Sequence, residues 1–335
     1  MSRTKNDQAE TKSEDRFLDQ TLRPRSFDEY VGQDKIKENL KILIGAAKER
    51  RQSPDHLLFY GPPGLGKTTL AHLISLETGS SLKSTSGPAI EKVGDIASIV
   101  TNLAPGDILF IDEIHRLNKT IEEVLYPAME SGVLNIILGK GPSARTIQLE
   151  LPPFTLIAAT TRIAMLSSPL RSRFSGGIFQ MEFYSDEHIE KILKRSSKIL
   201  GIETEETALK QIAKRSRSTP RTANYLLKRC RDLAQLNRKK IDSEVAIKTF
   251  GLLGIDEAGL NGSDRRLLKT MAEKFNGGPV GLNTLAASLS EDEATIEEYN
   301  EPYLLQLGFL ERTPRGRRMT SHGYAHLGKN PPTLL

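Results

Sequence analysis

Apolar residues fall along this chain in two rhythms. Continuous runs, His56-Leu57-Leu58-Phe59-Tyr60, Ile108-Leu109-Phe110-Ile111 and Leu156-Ile157-Ala158-Ala159, predict strands buried on both faces. Between them the apolar spacing is helical. Ile36, Leu40, Leu43 and Ile44 share one face over 34–50, and helices are predicted over 69–74, 90–103 and 121–130, with a short strand over 80–86. Strands alternating with helices give a parallel sheet covered on both sides, with sites at the carboxyl ends of its strands.

One segment breaks that rhythm. Val133 to Leu138 and Thr146 to Leu151 are strand-like and are separated by Gly139-Lys140-Gly141-Pro142, a hairpin signal. Ile136, Leu138, Ile147 and Leu149 give it an apolar face. Spacing alone allows that face to pack on its own sheet or to project towards a partner.

After residue 183 the pattern becomes helical, over 185–200, 205–216 and 222–236. The stretch 251–262, rich in Gly and acid, reads as a linker. A helix over 263–275 capped by Ser263, shorter helices over 282–289 and 292–307, and two runs flanking Thr313-Pro314-Arg315-Gly316 describe a winged helix. The first 16 residues are polar, without apolar period, and read as disordered. The expected domains are therefore 17–182, 183–255 and 256–335. No apolar run approaches a membrane span, and Met1 to Arg16 holds no signal-peptide core, so a cytosolic location is expected. A lone Cys230 excludes an intrachain disulfide.

Charge changes the picture only locally. Of a formal net charge of +5, residues 181–255 carry 16 basic against 10 acidic side chains, and residues 256–335 carry 9 against 11. Solvated helix faces explain the basic segment as well as a nucleic-acid partner does. Within the net acidic last segment, Arg312, Arg315, Arg317 and Arg318 crowd one turn, a focused patch for phosphates with little sequence preference. His322 and His326 have metal-pair spacing, but no further ligand accompanies them, so they read as surface residues.

The strongest chemical signal is Gly61-Pro62-Pro63-Gly64-Leu65-Gly66-Lys67-Thr68, between a predicted strand and a predicted helix. It fits the phosphate-binding loop, in which glycines let successive N–H groups line a concavity for polyphosphate and the helix adds its positive end. Lys67 reaches the β- and γ-phosphates. Thr68 holds Mg²⁺, and Gly64, Gly66 and Thr69 complete the cradle. Asp112-Glu113, at the end of an apolar strand, then supplies support for Mg²⁺ (Asp112) and a group that orients the attacking water (Glu113). Phosphoryl transfer needs little more than such positioning and charge neutralisation. Asn118-Lys119-Thr120-Ile121 lacks the Asp of a guanine-reading motif, so ATP rather than GTP is expected.

These motifs recur in order with Ile-Asp-Glu-Ile-His-Arg at 111–116, Ala-Ala-Thr-Thr-Arg at 158–162, Ser-Pro-Leu-Arg-Ser-Arg-Phe at 168–174 and Thr-Pro-Arg at 219–221. The set resembles an AAA+ ATPase, an α/β P-loop core with a helical lid. Thr-Ser-Gly-Pro at 85–88, Glu-Glu-Val-Leu-Tyr-Pro-Ala-Met-Glu at 122–130, Gly-Gly-Pro-Val-Gly-Leu at 277–282 and Gly-Phe-Leu-Glu-Arg-Thr-Pro-Arg-Gly-Arg at 308–317 narrow the resemblance to the RuvB family, bacterial motors of Holliday-junction branch migration. It runs from about Leu22 to Gly328. It implies a hexameric ring on duplex arms of a four-way junction, RuvA as partner, and RuvC in a resolving complex. By resemblance, Thr161 is the sensor-1 residue with Thr160 as near competitor, and Arg173 is the trans-acting arginine finger with Arg171 two residues away. Arg221 is sensor 2, and Leu22, Arg23, Tyr30, Val31 and Tyr184 form the adenine pocket. Arg312, Arg315 and Arg317 meet DNA, while the 133–151 hairpin, through Ile147 and Leu149, meets RuvA. His115 is expected to couple the site to its surroundings.

Two departures from the family pattern bear on geometry. Ser218 stands where a Gly usually precedes Thr-Pro-Arg, and Ser175-Gly176-Gly177 follows Phe174 where a Gly normally comes directly. If the first position has positive φ, Ser218 is strained. A clamp-loader-like ATPase is disfavoured by the winged helix. An initiator-like switch, which uses ATP to assemble rather than to move, differs in lacking sustained DNA-stimulated turnover.

Overall fold

The computed structural model describes residues 20–138 and 145–332. They form two compact units, one comprising the residues up to Gly61 with Leu65–Glu182, the other Pro62–Gly64 with the residues from Phe183 onward.

The first unit is built on a five-stranded parallel sheet. Its strands are β1 (Leu57–Tyr60), β2 (Leu82–Ser86), β3 (Ile108–Asp112), β6 (Thr155–Thr160) and β7 (Gly177–Gln180), in the order β2-β3-β6-β1-β7. The central strands are the continuous apolar runs because both faces are covered: every residue of β6 is buried, as are Leu57, Leu58 and Phe59 of β1. Helices α1 (Asp34–Arg50), α2 (Lys67–Thr78), α3 (Val93–Thr101), α4 (Lys119–Ser131) and α5 (Ser168–Ser172) complete the unit. The helix expected over 90–103 starts three residues late. Gly87–Ala89 makes a 3₁₀ turn, Ile90 is extended, and Asp95 accepts the N–H groups of Glu91 (3.0 Å) and Lys92 (2.9 Å) to cap α3.

Edge strand β7 went unforeseen. It is four residues long and half exposed, with Ile178 on the surface, so it carries no buried apolar run. It pairs with β1 from Gly177 opposite Leu57 to Gln180 opposite Tyr60. The Ser175-Gly176-Gly177 departure serves this junction. Gly176 donates to His56 O (2.9 Å), and a Cβ there would lie 2.9 Å from both Asp55 O and His56 O, so only glycine fits.

The interrupting segment is an antiparallel hairpin, β4 (Val133–Leu138) and β5 (Arg145–Glu150), with Leu134 opposite Leu149 and Ile136 opposite Ile147. Its turn, 139–144, lies outside the described residues, as does the N-terminal segment 1–16. Leu151 N–H closes its base on Gly132 O at 2.7 Å. The two predicted alternatives divide between its strands. Leu134 is fully buried and Ile136 packs on the core of the unit, whereas Ile147 and Leu149 are 42 % and 36 % exposed.

The second unit opens with helices α6 (Asp186–Ile199), α7 (Glu206–Lys214), α8 (Pro220–Leu236) and α9 (Ser243–Leu253). The last of these corrects the expected linker, since Gly251 to Leu253 form its final turn. The residues beyond are folded as well. Leu260 is fully buried, and Asp256 Oδ1 accepts the N–H groups of Ala258 (3.0 Å) and Leu260 (2.9 Å). Next come α10 (Gly262–Lys274) and α11 (Leu282–Leu289). Asn261 caps α10, not Ser263: its Oδ1 accepts Asp264 N–H (3.0 Å) while Asp264 Oδ2 accepts Asn261 N–H (3.1 Å). The helix expected over 292–307 is three pieces, α12 (Glu293–Thr295), a π-helical turn Ile296–Asn300, and α13 (Glu301–Gln306). The wing is the antiparallel pair β8 (Leu310–Thr313) and β9 (Gly316–Met319), followed by α14 (Ser321–His326). Leu267, Leu268, Met271, Leu285, Leu304 and Tyr324 are among the core side chains beneath it.

Candidate functional site

The phosphate loop leaves β1 and enters α2. Gly61, Gly64 and Gly66 have φ of 142°, 84° and 100°, which side chains rarely adopt, and that conformation turns the loop tightly enough to aim its N–H groups inward. No side chain caps α2, so its first N–H groups and the positive end of its dipole face the loop. Lys67 is buried, and its ammonium donates to Gly61 O at 2.8 Å, across the mouth of the loop. Thr68 and Thr69, half-buried on the first turn, make no side-chain bond among the described residues. Tyr30 is buried, and a Cβ at Gly66 would lie 2.9 Å from its hydroxyl, so this predicted adenine-pocket residue abuts the loop. Leu22 is likewise core, with Arg23 and Val31 half-buried beside it in sequence.

Asp112 ends β3, and its Oδ1 accepts the N–H of Glu113 at 3.0 Å. Glu113 has φ of 50°, a left-handed turn that swings its carboxylate off the strand axis. That carboxylate accepts the Thr161 hydroxyl at 3.2 Å, while His115 Nδ1 lies 3.2 Å away. Thr160 faces elsewhere. It is fully buried, lies 2.9 Å from His115 Nδ1, and accepts Arg162 N–H at 2.9 Å. The two competing threonines therefore differ in surroundings: Thr161 meets the acid, and Thr160 ties down the histidine that also meets it. Thr68 and Asp112 supply hard oxygen donors. No group of three or more His, Cys, Asp or Glu gathers around a metal position among the described residues. Such a sparse donor set fits Mg²⁺, which keeps waters and substrate phosphates as its remaining ligands.

Arg173 follows α5. Its Nη1 donates to Pro169 O (2.7 Å), its Nη2 to Glu130 Oε2 (2.9 Å), and its guanidinium carbon stands 4.6 Å from the centre of the Tyr126 ring. Its Nε is buried without a partner. Arg171 makes no side-chain bond among the described residues. Of the two arginines, it is thus Arg173 that pairs within the chain. Tyr126 and Glu130 escaped the sequence reading, although their i,i+4 spacing in the 122–130 stretch puts them on one face of α4.

In the second unit, Tyr184 is buried and donates its N–H to Ser218 O (3.0 Å). Ser218 has φ of 53°, the strained conformation that the missing Gly foretold, and Arg217 before it has 54°. Thr219 then caps α8 through Thr222 N–H, and Arg221 on the first turn is exposed, with no side-chain bond among the described residues. Arg217 and Arg221 line a cavity of about 540 Å³ with Pro63, Tyr225 and Tyr299.

The wing arginines are mostly not free. Glu301, 1 % exposed, accepts Arg312 Nε (3.0 Å) and Nη2 (2.6 Å) and pairs with Arg317, which lies opposite Arg312 across the hairpin. Arg318 pairs with Glu311. Arg315, exposed at the turn, is the wing arginine without an ion pair among the described residues. The four like charges are legible in sequence, whereas the acids that balance three of them, Glu297, Glu301 and Glu311, are not, since they stand on the preceding helical segment and the neighbouring strand. His326 is not simply superficial: it is half-buried, 3.0 Å from Asp256 and stacked on Phe309, while His322 is exposed. Cys230 is buried, which raises its thiol to about 11 and leaves it inert.

Family models match most of the chain. Residues 22–180 match the family model described as the Holliday junction DNA helicase RuvB P-loop domain, residues 184–256 the RuvB AAA lid domain, and residues 257–328 the RuvB C-terminal winged helix domain. A curated relative, the Holliday junction branch migration complex subunit RuvB of Dehalococcoides mccartyi, is 57 % identical over 316 residues, 94 % of this chain and 90 % of its own. The solved structure of the Thermotoga maritima RuvB Holliday junction branch migration motor is 48 % identical with a TM-score of 0.85, over 93 % of this chain and 100 % of that one. A lysine-to-arginine mutant of the same protein matches with a TM-score of 0.86 at 48 % identity, over 93 % and 99 %.

Proposed function

The chain belongs to the RuvB family, and from that premise we propose that it is an ATP-driven motor for branch migration of Holliday junctions in recombination and DNA repair. The observation that carries the reading is the conjunction in one chain of a complete phosphate loop, the Asp112-Glu113 pair with Thr161 on its carboxylate, and a winged helix, the first two within the match to the RuvB P-loop domain and the third within the match to the RuvB winged helix domain. The protein works in the cytosol. Among the described residues no helix is long and apolar enough to cross a membrane.

The roles we assign rest on the family pattern, and the positions described above support them. The loop N–H groups and Lys67 bind the β- and γ-phosphates, and Leu22, Arg23, Tyr30, Val31 and Tyr184 enclose the adenine. Thr68 and Asp112 hold Mg²⁺, which when bound neutralises charge on the phosphates. Glu113 orients the attacking water, and Thr161, hydrogen-bonded to that carboxylate, fixes its direction. Arg221 senses the γ-phosphate from the lid. Arg173 acts on a neighbouring subunit's nucleotide in a hexameric ring, leaving its pair with Glu130 to do so. Arg315 carries the wing's contact with the DNA backbone, with Arg312 and Arg317 shaping the hairpin behind it. The exposed Ile147–Leu149 edge is the RuvA contact, and RuvC joins the same assembly at the junction.

The test is branch migration of a synthetic four-way junction with ATP and Mg²⁺, with and without RuvA. Junction dissociation dependent on ATP and stimulated by RuvA is expected. ATP-dependent DNA binding with neither strand movement nor DNA-stimulated turnover under both conditions would reduce the protein to a nucleotide-dependent DNA-binding switch.

A further inference from the structure

The second unit contains an unbroken polar connection from the nucleotide-sensing end of α8 to the wing, and Arg217 is its joint. Arg217 and Ser218 occupy consecutive left-handed positions at φ of 54° and 53°, immediately before the Thr219 cap and Arg221. Two such residues in a row, neither of them Gly, are costly and persist only where surrounding contacts hold them. Tyr184 N–H holds Ser218 O (3.0 Å), and the side-chain contacts of Arg217 belong to the winged helix. The Arg217 guanidinium pairs with Asp264, donates to Tyr299 O at 2.8 Å, and lies 5.0 Å and 4.8 Å from the ring centres of Tyr299 and Tyr303. Asp264 is fully buried, and Asn300 Nδ2 donates to it at 2.7 Å. Tyr299 and Asn300 close the π-helical turn, a rare feature that concentrates at functional positions. The next residue is Glu301, the buried acid that holds Arg312 and Arg317 of the wing.

We infer that Arg217 is a positioning residue that transmits the state of the sensor-bearing end of α8 to the DNA-binding hairpin, through Asp264, the π-turn and Glu301. The physical basis is that each link is directional. A planar guanidinium beside two rings, with one nitrogen on a buried carboxylate and another on a backbone carbonyl, has one orientation that satisfies all of them. A rotation of the α8 start therefore drags Asp264 and the π-turn along, and Glu301 moves with the turn. Arg217 touches neither nucleotide nor DNA in this scheme. The inference rests on the assignment of Arg221 as the nucleotide sensor, so Arg221→Ala is measured in parallel.

The experiment compares wild type, Arg217→Lys, Arg217→Ala and Arg221→Ala for thermal stability, duplex affinity, and ATP turnover with and without DNA. Lysine keeps a positive charge beside Asp264 but loses the fork and the ring stacking, so Arg217→Lys stays folded where Arg217→Ala, which strands a buried carboxylate, loses stability. Arg217→Lys is expected to keep wild-type duplex binding and DNA-free turnover within about twofold, and to lose at least fivefold in the stimulation of turnover by DNA. Unchanged stimulation in Arg217→Lys overturns the inference, and so does a loss that merely follows a loss of DNA affinity. Because Arg221→Ala reports on nucleotide sensing by itself, unaltered turnover in that variant strikes at the sensor assignment and not at the Arg217 joint.

Discussion

At the scale of single residues, backbone and protonation constraints give the sharpest predictions. Ser218 adopts a left-handed conformation and its side chain makes no bond among the described residues. Ser218→Gly should therefore stabilise the protein by about 0.5–1 kcal/mol, the relief of left-handed strain less the greater freedom of glycine in the unfolded chain. A raised thermal midpoint checks this, and a lowered one refutes it. This position was legible in sequence as a departure from a family pattern, because a Gly that is regularly required marks a conformation. His56 was not legible, since nothing in the sequence showed that its ring sits across two segments. Its Nδ1 accepts Leu156 N–H (2.9 Å) and its Nε2 faces Met129 O (3.0 Å), which leaves no place for a second proton. Burial lowers its pKa from the ordinary 6.5. The unfolded chain then takes up the proton first as pH falls through 6.5, so the contribution is complete above that value and is lost below it, down to the folded-state pKa. The slope is at most about 1.4 kcal/mol per pH unit for one proton. Thermal midpoints at pH 7.5 and 5.5 should differ less in His56→Gln than in wild type. His72, lowered by burial and by the nearby Arg23 charge, adds a slope of the same sign that the substitution leaves in place.

At the scale of elements, whatever is buried on both sides is legible as an apolar run, and whatever is short or half exposed is not. Strands β1, β3 and β6 were readable as apolar runs. Edge strand β7 was not, because its burial alternates along only four residues. Helix α9 is masked for another reason: its last turn runs into Gly and acidic residues whose composition is that of a linker. The β4–β5 hairpin is the instructive case. Its existence was plain, but which of its residues stay wet depends on the body it leans against, which periodicity cannot show. The resulting asymmetry makes a controlled test. Ile147→Asp and Leu149→Asp alter exposed side chains and should cost under about 1 kcal/mol of stability, yet abolish stimulation by RuvA with DNA-free turnover intact. Leu134→Asp, at a fully buried position of the partner strand, should unfold the unit. Retained RuvA stimulation in both surface variants would move that contact off the hairpin.

At the scale of the whole molecule, the assignment that most needs other copies of the chain is Arg173. Its present partners, Glu130 and Tyr126, are its own. Arg173→Ala should fold, bind ATP and hydrolyse it slowly, with a deficit on the order of 10³-fold or more if the guanidinium acts on the transferred phosphoryl group. Mixing it with Lys67→Ala gives rings in which some interfaces join an intact Lys67 site to an intact Arg173, and these should recover part of the turnover. Co-assembled rings with no recovery would argue against action in trans. Titrating wild-type subunits into each variant measures how far one defective member silences a cooperative ring. The sequence carried the location of Arg173 through its motif, but its pairing with Glu130 became visible only when α4 and α5 were folded together.

The wing has a consequence for how such a motor holds its track. Three of its four arginines pair with Glu297, Glu301 and Glu311, which leaves Arg315 as the wing guanidinium without an ion pair among the described residues. A foothold of roughly one charge displaces about one condensed counterion from duplex DNA, too little to anchor a lone subunit at physiological salt. Grip then becomes a property of number, and release of any single foot is cheap. A walker built this way trades tenacity for stride, and its processivity should wane with added salt well before its chemistry does.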